Sequence, residues 1–167
     1  MDAEMISMMR EARIRGEDVE AGYRFIWGGT RRNGYPPGEV AYVRIDESGR
    51  WLVLERLQIQ DRLVGTLYPW VLDLDAPLGL QAALRIVARR RGWFNAWKGS
   101  DLDESDFLHL VYGWSSWRLE GGRFHPATGD RLHVHEVTWK DCPPDTYEGR
   151  RKAVMRMIIQ LRKEDGE

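Results

Sequence analysis

Apolar residues recur along this chain with two different periods, and the alternation between them outlines the fold. Met5, Met8, Met9 and Ala12 fall three and four positions apart, which predicts a short amphipathic helix over 1–15 with Gly16 as its stop. Strand-like stretches follow at Tyr23 to Trp27, Val40 to Ile45 and Trp51 to Ile59, the last two joined by the turn Asp46-Glu47-Ser48-Gly49. Between the first two, residues 28–38 are dense in Gly, Pro and Asn and read as a loop. A further extended piece covers Leu63 to Leu74, interrupted at Pro69.

The helical period returns at Leu80, Leu84 and Val87. It predicts a helix from Asp75 to Arg91, with Asp75 as N-cap, Pro77 in the first turn and Gly92 at the end. Phe107 to Tyr112 reads as a strand. Trp117 to Glu120 and Arg123-Phe124 read as hairpin arms about Gly121-Gly122, and Leu132 to Trp139 as another strand. Pro143-Pro144 breaks that strand. A final helix follows, with Asp145 and Glu148 as a capping box and Tyr147, Val154, Met157, Ile158 and Leu161 on its apolar face.

Helix, strands, helix, strands, helix is not the regular alternation of a doubly wound parallel sheet. The order predicts an α+β protein: an antiparallel or mixed sheet carrying an N-terminal, a central and a C-terminal helix. A length of 167 residues suits one globular domain, and 43% hydrophobic with 31% charged residues supports a proper core. The net charge of −1 argues against a chain built as a whole to coat nucleic acid. One cysteine, Cys142, permits no internal disulfide. The acidic start and the lack of a membrane-length apolar run suggest a cytoplasmic protein.

Several segments are candidates for chemistry. His133 and His135 lie two apart on a predicted strand and so share a face; with His125 or His109 they would make a site for a divalent transition metal. The competing reading is ordinary polar-face histidines and no cofactor. The loop containing Gly28, Gly29, Arg31 and Arg32 could contact phosphate or a partner, but it lacks the lysine and following helix of a P-loop. Arg89, Arg90, Arg91, Trp93, Trp97 and Lys98 combine bases with aromatics, a composition suited to single-stranded nucleic acid or to a helix end above core tryptophans. Asp73 and Asp75, and Asp101 with Asp103 and Glu104, could hold Mg²⁺ or cap helices. Ser115 and Ser116 have no nucleophile-elbow context.

No catalytic constellation stands out, whereas eight tryptophans and many arginines do. Trp and Arg are the side chains enriched at interface hot spots. The leading expectation is therefore a non-enzymatic protein that docks on a protein partner, as compact inhibitors from mobile elements do. Its expected contacts are Trp93, Trp97, Trp114, Trp117, Arg31 and Arg32. The alternatives are a nucleic-acid-binding module using Arg89, Arg90, Arg91 and Lys98, and a metal-dependent enzyme centred on His133 and His135.

Overall fold

The computed structural model describes residues 3–28, 38–49, 51–54, 57–61, 65–94, 105–125, 127–139 and 143–166. They form an α+β structure with two antiparallel sheets. Helix α1 (Ala3–Ala12) leads through a single 3-10 turn (Gly16–Asp18) to β1 (Arg24–Trp27). Strands β2 (Val40–Ile45), β3 (Trp51–Leu54), β4 (Leu57–Asp61) and β5 (Trp70–Leu72) complete a five-stranded sheet of order β4-β3-β2-β1-β5. Helix α2 (Gly79–Arg90) connects it to a three-stranded meander of β6 (Ser105–Gly113), β7 (Ser116–Phe124) and β8 (Arg131–Trp139). Helix α3 (Tyr147–Glu164) follows.

The helices are placed by their apolar stripes. Met5, Met9 and Ala12 of α1 are buried, so the methionine face belongs to the core. Helix α3 packs on both α1 and α2. Its sequence explains how: Ala153, Val154, Met157, Ile158 and Leu161 are buried, at helical spacing. The same buried cluster takes Phe25, Trp27 and Trp70 from the first sheet and Trp117 and Leu119 from the second.

Polar groups tie the ends of these elements. Asp18 is buried, accepting the N–H of Arg15 at 2.9 Å and facing Arg90 across a two-pronged ion pair. Arg90 also donates from Nη1 to the carbonyl of Ile158 in α3 at 3.2 Å. At the rim, Lys152 joins α3 to Glu4 of α1 at 2.9 Å, and its ammonium pKa is raised by that hydrogen bond.

Several local expectations are corrected. Helix α1 ends at Ala12, where Arg13 takes a positive φ of 47° and turns the chain before Gly16 is reached. Helix α2 starts at Gly79, four residues after Asp75, which faces Arg151 at 2.9 Å and caps nothing. In α3 the cap is Thr146, whose hydroxyl accepts the N–H of Gly149 at 3.0 Å; Asp145 lies one residue too early. The stretch Trp51 to Ile59 is two strands, with Leu54 paired to Leu57.

The largest correction concerns Gly121-Gly122. They do not turn the chain; they sit inside β7, which runs unbroken through nine residues. A Cβ on Gly121 would stand 2.7 Å from Cζ3 of Trp93, and one on Gly122 would stand 2.9 Å from the Phe107 ring. The glycines therefore make room for rings on the two faces of the sheet. The turn falls instead at Trp114-Ser115, between the paired residues Gly113 and Ser116.

Candidate functional site

The tryptophans whose side chains are described divide sharply by depth. Trp27, Trp70, Trp93 and Trp117 are buried. Trp117 is completely enclosed and donates its indole N–H to the carbonyl of Pro143 at 2.8 Å. Trp93 follows Gly92, whose φ of 74° ends α2, and drops onto the inner face of the second sheet. Neither ring offers a surface to a partner, so the expected contacts at Trp93 and Trp117 are withdrawn. Arg31, Arg32, Trp97 and Lys98 lie outside the described residues.

Trp114 is the opposite case, at 99% exposed. It occupies the first central position of a two-residue hairpin turn, and both it (φ 54°) and Ser115 (φ 56°) are left-handed. That backbone is the type favoured by Asn-Gly, because a Cβ there crowds the following carbonyl. A bulky aromatic in this conformation is a genuine outlier. Nearby on β6, Val111 is also exposed.

The described histidines, His109, His125 and His135, do not converge. Among the described residues no three His, Cys, Asp or Glu side chains are grouped to hold a metal ion. His135 pairs with Gly121 and stacks on Trp93, ring centroids 5.7 Å apart, on the inner face of the second sheet. His109 pairs with Glu120, one residue out of step with Gly121, and so projects from the opposite face, stacked on Phe107. In His125, Nδ1 accepts the N–H groups of Ala127 (3.1 Å) and Thr128 (3.3 Å), closing the β7–β8 turn. The side chain of His133 lies outside what the structure describes. The acidic pair Asp73 and Asp75 is likewise engaged: Asp73 accepts the N–H of Asp75 at 3.0 Å and faces Arg24 at 3.0 Å.

The basic run is neutralised from within. Arg89 faces Glu20 at 3.1 Å, Arg90 faces Asp18 at 2.7 Å, and Arg91 lies 3.9 Å from Glu164. Arg85 and Arg89 both lie over the ring of Phe94. A phosphate approaching these guanidiniums would compete with carboxylates already in place.

Sequence reasoning missed a concave site. A cleft of about 350 Å³ opens where the segment before α2 folds over the outer face of β1 and β2. Tyr23, Arg24, Tyr42, Leu78, Ala82 and Arg85 are among the residues that line it. Its shape depends on Gly79: a Cβ there would stand 2.1 Å from the carbonyl oxygen of Asp73, so only glycine lets this segment double back so closely. Leu78 makes no side-chain cap, and the first turn of α2 carries no acid.

Behind the cleft lies a small charge cluster. Arg85 donates from Nε (2.6 Å) and Nη2 (2.9 Å) to the two oxygens of Glu20, and the Tyr23 hydroxyl donates to the same carboxylate at 2.6 Å. The Arg85 hydrogen bond holds the Glu20 carboxyl down at about 2, against the opposing pull of partial burial. Burial, followed by the bond to Glu20, raises the Tyr23 phenol, so it stays protonated. The Glu20 bond likewise raises Arg85. Groups locked in these states hold a shape and do not shuttle protons near neutrality. No sequence motif announced this cluster, because Glu20 and Arg85 are 65 positions apart.

No helix among the described residues is long and apolar enough to cross a membrane. No protein-family model matches the chain, and no curated protein or solved structure is detectably similar to it.

Proposed function

We propose that this is a cytoplasmic docking protein that acts by binding another protein, with Trp114 at the tip of the β6–β7 hairpin as its anchor. One observation carries this reading: an indole that is 99% exposed sits in a left-handed turn. The conformation costs about 1–2 kcal/mol per residue, and the exposed ring returns no packing energy to the fold. Strain of this kind persists where the residue serves something outside the fold. Tryptophan is a leading hot-spot residue because a single rigid ring buries a large area when a partner covers it. Fixed at the end of two nine-residue strands, it is presented with little entropy left to lose.

The test places a photo-crosslinking phenylalanine analogue at position 114, and separately at Ser48 in an exposed turn, in cells of the source organism. A discrete protein adduct from position 114 and not from position 48 is expected. The crosslinked protein should co-purify with the wild-type chain and be lost with Trp114→Ala. Absence of an adduct, together with co-purification indifferent to Trp114→Ala, defeats the proposal.

A further inference from the structure

The second sheet ends on an open strand. Strand β6 pairs with β7 along nine residues, Ser105 to Gly113, in unbroken register, and among the described residues no strand lies on its other side. The two-residue turn fixes which backbone groups face that open side. Gly113 and Ser116 flank the turn and form a hydrogen-bonded pair, so by the period of two Val111, His109 and Phe107 also bond to β7. The backbone N–H and C=O groups of Leu108, Leu110 and Tyr112 therefore point out of the sheet. No hydrogen bond joins them to a described residue.

Open edges are normally blunted by charge, proline or a bulge, because a row of unmet backbone groups invites another strand. From Phe107 to Tyr112 the β6 edge has none of these: it reads Phe-Leu-His-Leu-Val-Tyr, without a register shift. The opposite edge, β8, carries Arg131 and Glu136 and pairs through a register shift.

The residues of β6 fit a second copy of themselves. Two such strands laid antiparallel overlap along all nine residues in one register, with His109 facing His109 on the two-fold axis. Leu108 then lies opposite Leu110 of the second copy, and Phe107 opposite Val111, so apolar positions meet apolar ones. Asp106, the one charged residue of the strand, lies opposite Tyr112, so no like charges meet. The exposed Val111 and the half-buried Leu110 both gain cover. The outward backbone groups match in the same register and supply about eight hydrogen bonds, close to the ~10 of a typical specific interface.

We infer that the chain forms a two-fold dimer by antiparallel pairing of β6 with β6 of a second copy, centred on His109, to make one six-stranded sheet. The inference goes beyond the docking reading and does not use Trp114. It places the two Trp114 tips at opposite ends of the joined strands, roughly 30 Å apart at ~3.4 Å per residue.

Sedimentation equilibrium of the full chain tests it, with far-UV circular dichroism as the check on folding. The wild type is expected to sediment as a dimer. His109→Lys and His109→Glu, changes at an exposed position, should each weaken the dimer at least about tenfold, because like charges then face each other on the axis. An equimolar mixture of the two variants should restore it. As a check that needs neither charge variant, His109→Cys in a Cys142→Ser background should oxidise to a disulfide-linked dimer, whereas Ser48→Cys in the same background should not. Trp114→Ala should leave the dimer unchanged, which separates this surface from the hairpin tip. A wild type that stays monomeric at its highest soluble concentration, which would leave the edge to a foreign strand or to none, overturns the inference. So does a dimer indifferent to both charge variants, or a folded His109→Cys chain that forms no linked dimer.

Discussion

The six-membered ring of Trp93 lies against the backbone of Gly121, so close that a methyl group on Gly121 would stand 2.7 Å from Cζ3 of the indole. This contact is where the end of α2 meets the second sheet. The Gly121 site is also boxed in by Leu108, at 2.8 Å from the same virtual methyl. Gly121→Ala should therefore overpack the core and cost about 1–3 kcal/mol in urea unfolding. Combined with Trp93→Leu, which frees space, the two losses should fall short of their sum by more than about 0.5 kcal/mol. Strict additivity would mean that the two residues do not compete for space.

The Trp114-Ser115 turn predicts a gain in stability from mutation. Replacing the pair by Asn-Gly, which adopts this turn without steric cost, should stabilise the fold by about 1–2 kcal/mol. The same double variant should lose the partner. A drop in stability would show that the indole packs on the fold and would undercut its assignment as an anchor.

The Asp18–Arg90 pair predicts steep losses. Arg90 presents Nε at 3.1 Å and Nη2 at 2.7 Å to the two carboxylate oxygens, and both side chains are about nine-tenths or more buried. Asp18→Ala or Arg90→Ala leaves a charge without its partner in the interior and should cost about 3–5 kcal/mol. Thermal unfolding of the double variant should show less than the sum of the single losses.

Glu20 predicts the shape of the acid limb. Its carboxyl is held at about 2 in the folded state against 4.5 for an ordinary glutamate, so the folded state binds this proton later than the unfolded chain. The stabilisation is complete above pH 4.5 and is lost as pH falls toward 2. Solvent screening of this partly exposed group limits the effect to about 1–2 kcal/mol. Glu20→Gln should be less stable than wild type at pH 7 and converge with it near pH 2, measured as urea midpoint against pH. Parallel curves across that window would refute the assignment.

Legibility from sequence tracked how local the determining interaction was. The strand-like stretches behind β1 and β2, and the stripe Val154, Met157, Ile158 and Leu161 in α3, were readable because burial imposes a period on neighbours in the chain. The α2 stop at Gly92 was readable because a glycine just past a basic last turn is a local signal. The Thr146 cap was missed in favour of Asp145 because both residue types cap helices and only backbone geometry selects between them. Gly121-Gly122 was misread as a turn because a glycine pair carries the same letters whether it relieves a backbone or admits an indole.

The candidate sites were less legible than the fold. Eight tryptophans were a sound signal that large rings matter here, yet composition cannot assign depth. The basic run at Arg89, Arg90 and Arg91 looked available until Asp18, Glu20 and Glu164 were brought to it from both ends of the chain.

The chain's own order of residues determines that three amphipathic helices and a set of short strands form, since each depends on side chains within a turn or two. Whether a given tryptophan is buried or left in water, which carboxylate an arginine meets and where a cleft opens are decided only by tertiary structure. Those outcomes depend on contacts such as Glu20 with Arg85 and Trp93 with Gly121, between residues whose separation along the chain says nothing of their distance in space.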